Sequence, residues 1–267
     1  MLYSSNAEAL EPIGPTGRGQ SAIGELATPL DSSPALLLER EAQIEVELLT
    51  SVEGFVSISA DALAMGQNRL LIDREIAQFA DAEQLSATRW LLSGLLRGRG
   101  GTEALANLGH PEGASVILLN ERLTPIGSTR IGSNLELPIG EIAAIGLADE
   151  QPVTARIKSR GVSTKPLTPV HPRRTGQPNG DIELCWTRRA RGAWNWPDNV
   201  ETPLHEEIER YLVAIGSLDS PQLEMIVTAP RVTLSAARQT EFSGADIWVK
   251  QIGQFSYSDA LLITTLP

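Results

Sequence analysis

Along most of its length the chain breaks into apolar-rich runs of four to eight residues separated by Gly, Pro, Asn, Asp and Ser, and that rhythm limits the folds open to it. A parallel strand pair needs a crossover of about a dozen residues or more, which these spacings do not allow. Residues 43–48 alternate, with Ile44, Val46 and Leu48 on one side and Glu45 and Glu47 on the other, the period of a half-buried strand. Further strands are expected at 55–58, 69–72, 75–79, 88–95, 115–119, 134–137 and 152–157. After a Pro- and Arg-bearing stretch at 158–180, six more are expected at 182–187, 211–215, 223–227, 231–236, 245–251 and 260–265. Helix is sparse, with one turn or two at 59–65 capped by Ser59 and another at 204–211 behind Pro203. The expected fold is mainly β, in two β-sandwich or small-barrel domains.

Charge divides the chain near the same place. Residues 1–150 hold 21 acidic and 9 basic groups, a balance of −12, whereas residues 151–267 hold 12 and 13, a balance of +1. Pro12, Gly14, Pro15, Gly17, Gly19, Gly24, Pro29 and Pro34 put too many breakers in the first residues for a long helix or a central strand. The expected organisation is an extended arm over 1–36 that docks on a neighbouring chain, a β-rich domain over 37–165 and a β-sandwich over 166–267. The start of the chain has neither a basic beginning nor an apolar stretch of signal-peptide length, and no run approaches a membrane span.

Enzymatic chemistry finds no motif. Cys185 is the single cysteine, so neither a disulfide framework nor a thiolate cluster is available. His205-Glu206-Glu207-Ile208-Glu209 has a glutamate where the second imidazole of a helical zinc motif would stand, and His110 reads as a loop histidine bonded to backbone. The run Arg97-Gly98-Arg99-Gly100-Gly101-Thr102 lacks the Lys-Ser/Thr ending of a phosphate loop and reads as a tight connection with two solvated arginines. No G-x-S-x-G occurs, and Glu206 with Glu207 or Glu209 reads as a solvated face. No catalytic residue, metal or cofactor is expected.

Binding has more to work with. Residues 156–191 carry nine basic side chains against Asp181 and Glu183, an excess suited to acidic protein surfaces. Nucleic acid is not expected as a partner, because the formal charge of the whole chain is −11. Trp194 and Trp196 flank Asn195, so on an extended segment both indoles face one way and form a platform for a saccharide or a partner chain. Trp194, Trp196, Arg188, Arg189 and Arg191 are the candidate partner- or receptor-binding residues.

Several blocks carry a family resemblance: GELATPL at 24–30, ADALAMGQNRLLI at 60–72, EIAQFADAE at 75–83, WLLSGLLRGRGGTE at 90–103, His110 with Gly113 and VILLN, and DIELCWTRRARGAWNWPDNVETPLHEEIERYLV at 181–213. In this order they resemble the C-terminal region of the tail-tip hub, or host-specificity, protein of gene transfer agents and related long-tailed phages of alphaproteobacteria. The second half also resembles a fibronectin type III domain through Trp186, Tyr211, the run Ile247-Trp248-Val249 and the closing LLITT. The family proteins are several times longer, and activity attributed to their barrel-bearing part does not carry over. The resemblance implies a non-enzymatic structural component of a virion tail tip or baseplate. Its implied partners are tail hub and baseplate proteins and further copies of itself in a three-fold or ring assembly, with host-surface saccharide as a contact. A saccharide-binding or carbohydrate-active module acting on the host envelope is the alternative.

Overall fold

A computed structural model describes residues 2–6, 9–14, 19–35, 37–50, 54–124, 139–145, 151–158, 162–191, 194 and 203–267. The chain is mainly β and divides into two compact units, Met1–Gly161 and Val162–Pro267.

In the first unit the strands are β1 (Leu2–Asn6), β2 (Ala9–Gly14), β3 (Ile23–Leu26), β4 (Glu39–Leu48), β5 (Arg69–Ile72), β6 (Glu75–Gln78), β7 (Asp81–Gln84), β8 (Arg89–Arg99), β9 (Ser115–Leu119), β10 (Ile139–Ala144) and β11 (Val153–Lys158). Two short helices, α1 (Ala60–Ala64) and α2 (Glu103–Ala106), lie among them. Strands pair in the order β4-β3-β9-β5-β6-β8, and β8 returns to pair with β4, which closes a six-stranded antiparallel barrel. Closure follows from the length of β4 and β8, each long enough to bend across two neighbours. Inward positions of every barrel strand supply one core that includes Ile44, Val46, Leu70, Ile72, Phe79, Leu92 and Val116. A separate sheet runs β11-β10-β1-β2.

The extended arm expected over residues 1–36 is therefore corrected. β1 and β2 form a hairpin beside β10, and β3 is a barrel strand between β4 and β9. Two of the described breakers, Pro12 and Gly24, show why such residues mislead. Pro12 lies on β2, an edge strand, where a missing N–H costs no ladder bond. Gly24 is required inside β3, since a Cβ there would stand 2.2 Å from the Glu47 carbonyl oxygen on β4.

The strand expected at 55–58 is absent. Phe55 instead plugs the core, with its ring edge-on to Phe79 at 5.5 Å and to Trp90 at 5.8 Å. The Ser57 hydroxyl accepts from the Ala82 amide at 2.9 Å and Ile58 N–H donates to the Ala80 carbonyl at 2.8 Å, so this segment covers the free side of β7 without forming a ladder. Ser59 caps α1 as expected, accepting from the Ala62 amide at 3.2 Å. The strand expected at 134–137 lies outside the described residues.

The second unit holds β12 (Val170–Gly176), β13 (Ile182–Thr187), β14 (Tyr211–Gly216), β15 (Pro221–Val227), β16 (Arg231–Leu234), α3 (Ala236–Glu241), β17 (Asp246–Gln251) and β18 (Leu261–Thr265). Its sheets run β12-β13-β16 and β15-β14-β17-β18. Three strands facing four in this order make the fibronectin type III-like sandwich expected of it. Trp186 from β13 meets Tyr211 from β14 edge-on at 5.2 Å in the centre, with Leu184, Val213, Ile215, Ile247 and Val249 around them. The helix expected at 204–211 is not formed. Residues 203–210 are irregular and Tyr211 opens β14.

Replacing Gly24 by Ala drives a methyl group into backbone that cannot withdraw. The expected result is a loss of about 2 kcal/mol or more from the first unit, read as a lowered unfolding midpoint in urea.

Candidate functional site

The barrel is least regular where β6 meets β8. Only Ile76 with Arg99 and Gln78 with Leu96 stand in register there, with a shift between them. Buried polar side chains concentrate at this seam. Thr102 accepts from the Ile76 amide at 3.0 Å, and Gln78 donates to the Leu63 and Gln67 carbonyls at 3.0 and 2.7 Å. At its centre Glu75 takes two bonds from Arg97, at 2.7 and 2.8 Å, one from the Gly98 amide at 2.8 Å, and lies 2.7 Å from His110 Nε2. Neither Glu75 nor Arg97 exposes any of its side chain. Arg97 also donates to the Asp31 carbonyl at 3.1 Å, and Leu30 and His110 exchange backbone bonds, so the connections after β3 and before β9 are held to the same point.

Burial raises the Glu75 carboxyl, but the Arg97 hydrogen bonds, the Gly98 amide, the Arg97 charge and His110 together outweigh it and hold the group below its ordinary value. Two expectations are corrected here. Arg97 and Arg99 are not a solvated pair: Arg97 is buried, and Arg99 Nε donates to the Gln78 side chain at 2.8 Å. The His110 ring serves a carboxylate rather than backbone. The signal available in sequence was a lone glutamate among apolar β6 residues and an arginine inside the apolar run of β8.

Of the residues singled out for partner contact, the structure brings Arg188 and Arg191 onto the segment that leads into β14. Arg188 donates to the Pro203 carbonyl at 3.1 Å and lies 3.8 Å from Glu209. Arg191 donates to the His205 carbonyl at 2.8 Å and pairs with Glu206 at 2.7 Å. The other oxygen of Glu206 accepts from the Gln254 amide at 2.9 Å, which ties the connection between β13 and β14 to the turn between β17 and β18. Glu206 is therefore not part of a solvated face. Arg189 and Trp194 are half-buried, and Trp196 lies outside the described residues.

Tyr211 donates to Glu209 at 2.6 Å, and burial followed by that contact pushes its hydroxyl far up. Burial and then the Glu183 charge raise the Cys185 thiol, which keeps it protonated at neutral pH. A shallow cavity of about 400 Å³ opens on the outer barrel beside Glu25, Glu47, Arg89 and Glu112. Among the described residues, no group of three or more His, Cys, Asp or Glu is placed to hold a metal, and no helix is long and apolar enough to cross a membrane.

A family model described as Rcc01698-like, C-terminal, matches residues 21–117. That stretch begins just before β3 and ends within β9, so it coincides with the barrel and contains Glu75, Arg97 and His110. The chain matches no curated protein. Among solved structures it is similar to the rat CD45 extracellular region, domains d3–d4, at 10% identity over 46% of this chain and 60% of that one, with a TM-score of 0.27. It is also similar to a two-domain fibronectin type III segment of chicken tenascin, at 10% identity over 89% of this chain and 97% of that one, with a TM-score of 0.26. At these scores the assignment of the second unit rests on its own strand order.

Two outcomes follow from the buried charges. Glu75→Gln leaves the Arg97 guanidinium uncompensated and is expected to cost the first unit about 3–5 kcal/mol at neutral pH. The folded carboxyl titrates below its ordinary 4.5, so its ionisation adds stability above that pH and the contribution fades as pH falls through the lower folded value. Urea titrations from neutral to acid pH should therefore show wild type and Glu75→Gln converging on acidification. Arg191→Ala, which strands the nearly buried Glu206, should cost the second unit about 1–3 kcal/mol in the same measurement.

Proposed function

We propose that this chain is a structural component of a phage or gene-transfer-agent tail tip, working by shape and surface contact with hub and baseplate neighbours and with its own copies. One observation carries the reading: five of the six sequence blocks that resemble the tail-tip hub family build the barrel and its seam, and the sixth, at 181–213, runs from β13 into β14 of the second unit. EIAQFADAE supplies Glu75 and Gln78, WLLSGLLRGRGGTE supplies Arg97, Arg99 and Thr102, and His110 completes the set. The family-model match over 21–117 supports the same module. What the resemblance transfers is thus a folding unit rather than a reacting centre. The polar groups that a catalyst would expose are spent here on closing a sheet, and no reaction is assigned to the chain.

In this reading the acidic barrel faces basic neighbouring surfaces, and the second unit is a spacer that presents its loops. The protein is made in the host cytoplasm and ends in the virion, at the tail tip.

Tagged protein produced in the particle-forming cell provides the test. Gradient-purified particles are expected to contain the chain in fixed proportion to the hub, with gold-labelled antibody bound at the distal end of the tail. Particles that carry no detectable chain would overturn the assignment.

A further inference from the structure

A sheet with one face in water alternates apolar and polar residues along each strand, whereas a strand covered on both faces reads as a continuous apolar run. Three strands of the four-stranded sheet of the second unit follow the latter pattern, while β15 alternates up to Met225. Residues 211–215 are apolar throughout, Ile247, Trp248 and Val249 stand in succession, and so do Leu261, Leu262 and Ile263. Tyr211, Val213, Ile215, Ile247 and Val249 fill the sandwich core, so the residues between them point outward.

Register gathers those outward residues into one strip. Leu212 on β14 stands between Ile226 on β15 and Lys250 on β17. Ala214 stands between Glu224 and Trp248, and Trp248 is followed by Leu262 on β18. Ile226 is 63% exposed and Leu262 41%, at the two edges of the strip. The Trp248 indole donates to the Gly216 carbonyl on the adjacent strand at 3.1 Å, which fixes the ring against the sheet.

We infer that this face packs against the same face of a second copy, as a two-fold, sheet-on-sheet pair. Charge complementarity selects that occupant. On the strip Glu224 and Lys250 stand on opposite sides of Leu212 and Ala214, and the ion pairs seen among the described residues include neither; Asp246, at the end of the same face, is bonded to the Thr265 hydroxyl. A two-fold contact can set each copy's Glu224 against the other's Lys250, so the face complements itself. A uniformly acidic or basic partner would leave one of the two charges opposed.

The area sets the strength. Four strands about 4.8 Å apart and six residues long give on the order of 400 Å² per copy, below the roughly 800 Å² per partner of a stable complex. The pair therefore forms at high concentration and gains when many copies are held in one assembly. A two-fold contact closes at two copies, so it is additional to any ring contact and stands apart from the tail-tip reading.

Sedimentation velocity on the full chain, from about 10 µM to about 1 mM, tests the pairing. A dimer fraction that rises with concentration is expected. Ile226→Lys and Leu262→Glu, both at exposed positions, should each weaken association at least ~10-fold while leaving the thermal midpoint in place. Lys250→Glu should weaken it as well, and Glu224→Lys combined with Lys250→Glu should restore it. A monomer at every concentration, a dimer indifferent to Ile226→Lys and Leu262→Glu, or a double exchange that fails to rescue would each overturn the pairing.

Discussion

A carboxylate cut off from water has to be surrounded by donors, and the first unit is organised around one such group, Glu75. Its four contacts come from two side chains and one amide on two separate parts of the chain: Arg97, which bonds twice, and Gly98 on β8, and His110 ahead of β9. They cluster where the β6–β8 ladder is shortest and slips in register. Backbone bonds lost to that irregularity are replaced by side-chain bonds through Glu75, Gln78, Arg97 and Thr102. The barrel closes through side-chain polar chemistry at one seam and through backbone ladders over an apolar core elsewhere, and the seam holds the more demanding requirement. A half-satisfied network here would be worse than an apolar one, because each buried charge depends on the others.

The sandwich solves a similar problem at its periphery. The connection between β13 and β14 is longer than a minimal module needs, and its described ends are held by ions rather than by helix. Arg188 and Arg191 secure residues 203–209, and Glu206 passes the restraint on to Gln254. Tyr211 takes part in both regimes, with its ring against Trp186 in the core and its hydroxyl on Glu209 at the margin. The basic excess that composition assigns to this region is thus partly consumed internally. Any surface charge it offers to a partner is smaller than a count of arginines suggests.

Most strands were legible because their period of two survives in isolation. Residues 69–72, 115–119 and 182–187 begin and end where alternation and turn residues say they do. What sequence could not supply was pairing. That β8 reaches both β4 and β6, and that β3 belongs inside the barrel, depends on contacts between residues some twenty to a hundred positions apart. Gly24 shows the difficulty: the same glycine that reads locally as a breaker is, in register, the one residue that fits beside Glu47. Arg97 was misread for the same reason, since its partner lies 22 positions away and leaves no local trace. The segment at 55–58 failed differently, because its apolar residues serve as a plug and its serine replaces a ladder.

The two units differ in what they leave open to other molecules, and the difference follows from topology. A closed barrel has no free backbone edge, and the side of β7 that escapes closure is covered by Ser57 and Ile58. Contact with the barrel must then be made through side chains on its outer face, where Glu25 stands beside Glu47, and Glu45 in line with Glu83 across Leu91, with Arg89 among them. Such a surface favours orientation and rate over burial. Among the described residues the sandwich leaves β15 and β18 as the outer strands of its larger sheet, and that sheet carries exposed apolar residues such as Ile226 and Leu262 on its outer face. A chain built this way joins a unit whose integrity is set by a buried ion pair to a unit that carries apolar side chains on the outer face of one sheet.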